Sequence, residues 1–142
     1  MKKRINEMKA RLVANNYCAG IARGVISSFL APYNCAIDEL ADIRCSVDEA
    51  VANCVIHAYK EPSDKNFVYI SARLYDNREF SVEISDHGCG FDTARIGENK
   101  YEMGFIIMDS FMDSVVIKSE IGKGTTVRMT RRLTTNAILE EV

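Results

Sequence analysis

A chain of 142 residues, 47% apolar and 27% charged, is long enough to bury one two-layer core and falls within ordinary globular chemistry. Its formal net charge of −2 excludes binding to nucleic acid through bulk positive charge. No run approaches the roughly 20 apolar residues of a membrane span, and no apolar stretch follows the basic start, so neither a membrane helix nor a signal peptide is expected. Cys18, Cys35, Cys45, Cys54 and Cys89 are scattered without a C-x-x-C pair and read as reduced thiols, which points to a cytoplasmic protein.

In chain order, Ile5 to Ala14 alternates in part and is expected to form an edge strand. From Tyr17 to Leu30 two apolar stripes recur at helical spacing, Ile21, Val25, Phe29 and Ala22, Ile26, Leu30, and Pro32 ends the run. A longer helix is predicted from Asp38, as N-cap, to Tyr59, where Lys60-Glu61-Pro62-Ser63 stops it. The period then changes. Phe67–Tyr75 and Phe80–Ile84 read as a hairpin turning at Asp76-Asn77. After the loop Asp86-His87-Gly88-Cys89-Gly90 a helix is predicted over Met103–Met112. Two last strands, Ser114–Ser119 and Thr125–Leu133, are joined at Gly122-Lys123-Gly124, and residues 134–142 form a tail. One domain spanning 1–142 follows, an α+β two-layer sandwich with helices on one face of a mixed, largely antiparallel sheet.

Four places could carry chemistry. Glu49, Asn53 and His57 are spaced i, i+4, i+8 on the long helix and share one side of it. Polar residues four apart on an amphipathic helix are usually its wet face; against that, a solvated face is normally Lys/Glu-rich and asparagine is a poor residue inside a helix. Asp86-x-Gly88-x-Gly90 follows a strand. Its glycines permit close backbone approach to a ligand, and its carboxylate can accept a hydrogen bond from an exocyclic amine. Met103-Gly104-Phe105 opens a helix, whose free N–H groups suit phosphate. Gly122-Lys123-Gly124-Thr125-Thr126 by itself is only a hairpin glycine pair.

In this order, E-x-x-x-N on a helix, D-x-G-x-G, M-G-F and G-x-G-T-T, the four resemble the motifs of the GHKL ATPase/kinase superfamily. The strings VDEAVANCVIHAY, ISDHGCGF, MGFIIMDSFMDSVVIKS and GKGTTVRM are similar to those of the anti-sigma F factors and related anti-sigma serine kinases, from about Tyr17 to Leu133. The resemblance implies a Bergerat ATP-binding fold with ATP and Mg²⁺ as cofactors. By similarity, Asn53 is the Mg²⁺ ligand, Glu49 the catalytic carboxylate and Asp86 the adenine-amine acceptor. Gly88 and Gly90 are the close-approach positions, Gly104 lies beside the phosphates, and Thr125 or Thr126 near the adenine. His57 is assigned helix packing. The implied partners are a sigma factor and an anti-anti-sigma protein phosphorylated on serine. Arg23, in IARGVISSF, is a candidate partner contact, and the N-terminal strand could be a homodimer edge.

Two departures from the pattern separate a kinase from a non-catalytic module that sequesters a transcription-factor partner. Thirteen residues lie between Gly90 and Gly104, a short lid without a Thr-rich segment, and Glu102 stands where the pattern favours glycine. A carboxylate there repels phosphate unless Arg95, Lys100 or Lys123 offsets it.

Overall fold

The computed structural model describes residues 2–94 and 102–134, with only the backbone of Glu102. Strand β1 (Arg4–Val13) leads into helix α1 (Cys18–Leu30), a 3-10 turn (Ala31–Tyr33) and helix α2 (Ile37–Asn53). The helical run continues for one more turn, Cys54–Ala58, wound as a π-helix. Strands β2 (Phe67–Tyr75) and β3 (Glu79–Asp86), helix α3 (Glu102–Phe111) and strands β4 (Ser114–Glu120) and β5 (Gly124–Arg132) complete the described chain.

The five strands lie in the order β1-β2-β3-β5-β4. All four pairings are antiparallel, so among the described residues the sheet lacks the parallel pair that a mixed sheet would contain. Period-2 alternation buries Val68, Ile70, Ala72 and Leu74 of β2 on one face, beside Phe80, Val82 and Ile84 of β3 and Val127 and Met129 of β5. Against them pack Ala22, Ile26 and Leu30 of α1 and Ile43, Val47 and Val51 of α2, with Met108 of α3. Each such side chain contributes about 1.5–3 kcal/mol on burial. Of the two α1 stripes, the one through Ala22 goes inward, and Ile21 on the other is left 48% exposed. The opposite face of β2 presents Tyr69, Ser71, Arg73 and Tyr75, all half-buried.

Most element ends shift by a residue or two from the sequence reading, and three of the differences have a clear physical reason. The N-cap of α2 is Ala36, and Asp38 lies inside the first turn, where its Oδ1 accepts from the N–H of Glu39. Glu39 reaches back to accept from the N–H of Ala36 at 3.2 Å, which supplies the cap that alanine lacks. The hairpin loop holds three residues, because Arg78 takes a left-handed φ of 70° and Leu74 pairs with Phe80. The α-helical part of the long helix stops at Asn53, and the last turn widens.

Glu39 also fastens the far end of the chain. It is 2% exposed, and its second oxygen accepts from the N–H of Thr134 at 2.7 Å. Glu39→Ala removes both of these charge-assisted hydrogen bonds and is expected to lower stability by about 2 kcal/mol. Glu39→Gln, which keeps one acceptor, should lose less. Urea unfolding of the two variants checks the order. Nearby, Arg131 donates to Asp42 of α2 at 2.8 Å and to the carbonyl of Phe111, so it caps the end of α3 and ties it to α2 and β5.

Candidate active site

The site is built where α2, α3 and the ends of β3 and β5 meet. Glu49 and Asn53 stand one turn apart on α2, and the first turn of α3 crosses directly over them. Gly104 is buried there: a methyl group at 104 would lie 3.2 Å from Glu49 Oε2 and 3.2 Å from Asn53 Nδ2. Glycine at this position therefore lets the N-terminal turn of α3 come down onto both polar side chains. A carboxylate and an amide thus meet the first turn of a helix at one place.

Asp86, the last residue of β3, is 5% exposed, and its Oδ1 accepts from the N–H of Gly88 at 2.9 Å. It opens into a cavity of about 20 Å³ that Asn53 also lines, together with Cys54, Phe91, Ile117 and Thr125. The candidate base-reading carboxylate and the candidate metal ligand therefore line one pocket, smaller than a purine. Burial and the neighbouring Asp86 carboxylate push the Cys54 thiol well above its ordinary range, so it remains a neutral S–H.

The π turn explains how the loop after β3 is held. The carbonyl of Ala58 accepts from the N–H of Cys89 at 2.7 Å, and the carbonyl of His57 accepts from the Cys89 thiol at 3.5 Å. Tyr59 adds a bridge, donating its hydroxyl to the carbonyl of Phe67 at 2.5 Å and accepting from the N–H of His87 at 3.0 Å. A methyl carbon at 88 would sit 2.2 Å from the Ala58 oxygen. At 90, where φ is 65°, it would sit 2.1 Å from the Glu120 oxygen. At both glycines the chain's own backbone comes close. The carbonyl of Cys89 in turn accepts from the N–H of Gly122 at 2.7 Å.

Thr125 pairs with Asp86 and lines its pocket, and its hydroxyl bonds to Ser119 at 2.7 Å. Thr126 is absent from that lining, but it borders a more open groove that Asp86 and Thr125 also line, with Ser85 and Lys118. His57 sits on the widened turn, contributing its carbonyl to the loop. Arg23 is ion-paired with Asp48, the neighbour of Glu49 on α2. Lys123 pairs with Glu120 at 3.3 Å, both side chains exposed. Arg95, Lys100, the Glu102 side chain and most of the predicted lid lie outside the described residues, as does the tail from 135 on. Cys54, Phe91 and Tyr59 were not singled out from sequence. Cys54 directly follows Asn53 and Phe91 directly follows Gly90, and both read as plain apolar residues.

Among the described residues no three His, Cys, Asp or Glu side chains gather to hold a metal. The oxygen donors beside Gly104 are the Asn53 amide and the Glu49 carboxylate, a hard and incomplete set. That suits Mg²⁺, which typically takes one or two protein oxygens and fills its shell from phosphate and water. Among the described residues no helix is long and apolar enough to cross a membrane.

Residues 13–131 match the family model of the histidine kinase-like ATPase domain. The chain is 36% identical over 141 residues to the anti-sigma F factor of Caldanaerobacter subterraneus subsp. tengcongensis, covering 92% of this chain and 96% of that protein. It is 30% identical over 146 residues to the anti-sigma F factor of Clostridium acetobutylicum, covering 96% and 98%. Among solved structures it is similar to the RsbU and RsbW domains of a Mycobacterium tuberculosis protein, with TM-score 0.73 and 23% identity over 90% of this chain and 32% of that one. A blue-light activated histidine kinase from Erythrobacter litoralis gives TM-score 0.60 and 18% identity over 71% of this chain and 32% of its own. Those two likenesses speak for the fold. Motif order, sheet topology and identity along nearly the whole chain agree, and the chain belongs to the histidine kinase-like ATPase family, on the branch of the anti-sigma F factors.

Proposed function

We propose that this protein is a cytoplasmic anti-sigma factor and protein serine kinase, which binds Mg-ATP, holds a sigma factor and phosphorylates a serine of an anti-anti-sigma protein. The observation that carries the reading is the seating of Gly104 against Glu49 and Asn53, with Asp86 opening into the same pocket as Asn53. Asp86 accepts from the exocyclic amine of the base, with Thr125 beside it. Asn53 offers its amide oxygen as the protein's Mg²⁺ ligand, and the first N–H groups of α3, at Gly104, face the phosphates. Bound Mg²⁺ neutralises phosphate charge and helps the γ-phosphoryl group leave. Glu49 takes the proton from the attacking serine hydroxyl. A homodimer would use the free edge of β1, which pairs only with β2 among the described residues.

Incubation with Mg-ATP and the cognate anti-anti-sigma protein is expected to place phosphate on a serine of that partner. Asn53→Ala should weaken Mg-ATP binding by about tenfold or more in calorimetry, as loss of a site-shaping group at a metal does. Tight Mg-ATP binding without any transfer would instead favour a sequestering module, the reading to which the thirteen residues between Gly90 and Gly104 and the presence of Glu102 point.

A further inference from the structure

The sheet face turned away from the helices carries charge that the nucleotide chemistry does not use. Strand register sets Arg11, Tyr69, Ser85, Thr126 and Lys118 in one line across all five strands. The next line on the same face is Lys9, Ser71, Glu83, Arg128 and Val116. These two lines hold four cations against Glu83 alone, a net of +3, where the whole chain is −2 and the remainder therefore −5. Arg11, Arg128 and Lys118 have no ion pair among the described residues. Lys9 lies 4.0 Å from Glu7, which Arg4 and Arg73 already hold at 3.0 Å. Two depressions of about 260 and 320 Å³ lie along these lines and share Ser85. The first takes in Lys9, Tyr69 and Glu83, the second Lys118, Lys123 and Thr126. Where they meet, the Tyr69 ring lies against His87 with centroids 4.7 Å apart.

We propose that this groove docks an extended acidic segment of a protein partner, with carboxylates at its two ends and neutral residues over Ser85 and Thr126. The span fits. Neighbouring strands lie about 4.8 Å apart, so the backbones at Arg11 and Lys118 are about 19 Å from each other, the reach of roughly six extended residues. Charge spacing separates this occupant from a nucleic acid. The middle of the groove offers hydroxyls and Glu83, with Glu120 at the Lys118 end, whereas a phosphodiester brings a negative charge at every nucleotide. A peptide can keep its centre neutral and let its amides meet the hydroxyls. Glu49 and Asn53 lie on the other side of the sheet, although the groove reaches Asp86 and Thr125 at one end.

The test is fluorescence anisotropy on the whole chain. The probe is a short labelled peptide with paired glutamates at both ends and a serine-rich centre. An isomer with its glutamates gathered in the middle and an oligothymidine of similar length are run beside it. Saturable binding of the first peptide is expected at about 50 mM salt, where screening is weak. Arg11→Glu and Lys118→Glu should each weaken it about fivefold or more, because each replaces an attraction with a repulsion. Lys118→Gln, which only removes the charge, should fall between parent and Lys118→Glu. Arg44→Glu makes the same charge change at an exposed position of α2 and should stay within about twofold of the parent. No binding by the parent overturns the proposal, as does an equal loss in Arg44→Glu, which bulk charge alone would produce. Equal affinity for the isomer overturns it too, since the groove would then not read where the charges lie. Tighter binding of the oligothymidine would assign the face to nucleic acid instead.

Discussion

Glu49→Gln is expected to cut phosphate transfer to the anti-anti-sigma partner by about 10²–10⁴-fold while Mg-ATP affinity stays within about threefold of the parent. The side chains are isosteric, so the packing of Gly104 against position 49 survives, and with it the seat of α3 on α2. What is lost is a group that can hold a proton at the moment the hydroxyl oxygen attacks. Binding and chemistry therefore separate, with a lowered kcat at unchanged KM for ATP. Single-turnover transfer from labelled ATP, with calorimetry on the same sample, reads both quantities. Full transfer by the glutamine variant would remove Glu49 from the reaction and leave positioning as the whole of catalysis. A matching fall in affinity would instead make Glu49 a nucleotide ligand.

The second large effect is structural in origin. Gly88→Ala places a methyl carbon 2.2 Å from the Ala58 oxygen and 2.5 Å from its carbonyl carbon. Both are backbone atoms and neither can swing aside as a side chain would. To relieve the clash, the loop must release the bond from the Cys89 N–H to Ala58, and the Gly88 N–H must leave Asp86. The expected cost is on the order of 3 kcal/mol or more, among the largest for one methyl group. For a chain of this size that corresponds to a fall in Tm of roughly 8 °C or more. Since the strain falls on the loop that fixes Asp86, ATP affinity should fall further than stability alone explains. Thermal melts with and without Mg-ATP measure the two losses separately. An alanine variant with unchanged Tm would mean that the loop does not dock on the π turn in solution.

The architecture was legible where it depends on periodicity. The apolar stripe through Ala22, Ile26 and Leu30 and the alternation of Val68, Ile70, Ala72 and Leu74 each dictate an element and the face it buries. Glu49 and Asn53 were legible because α-helical spacing holds as far as residue 53. His57 drifts from that line because the winding changes at Cys54. No local residue pattern announces that change: the Ala58 carbonyl is claimed by a loop about thirty residues downstream. The same holds for the pairing of Asp86 with Thr125, which no local pattern announces. Gly88 and Gly90 were recognised as places of close approach, but sequence cannot name what approaches. Arg78 broke the rule that a left-handed turn position shows itself as glycine or asparagine, so the turn was placed at Asp76-Asn77 without it.

The widened turn at Cys54–Ala58 makes the site a caliper. One jaw is the loop that carries Asp86, bonded backbone to backbone onto the end of α2. The other is the row Asn53 then Glu49, the second about 6 Å further along the same rigid rod. The jaws are joined main chain to main chain at Ala58, with the Tyr59 hydroxyl and the Cys89 thiol as side-chain braces. On the proposed reading, a nucleotide seated at Asp86 is measured from a fixed origin. A triphosphate carries one phosphate more than the diphosphate left after transfer, and on that reading the extra phosphate is the one nearest Glu49. The spent state would then differ from the loaded one by reach alone, a difference that α3, resting on those two side chains through Gly104, is placed to register.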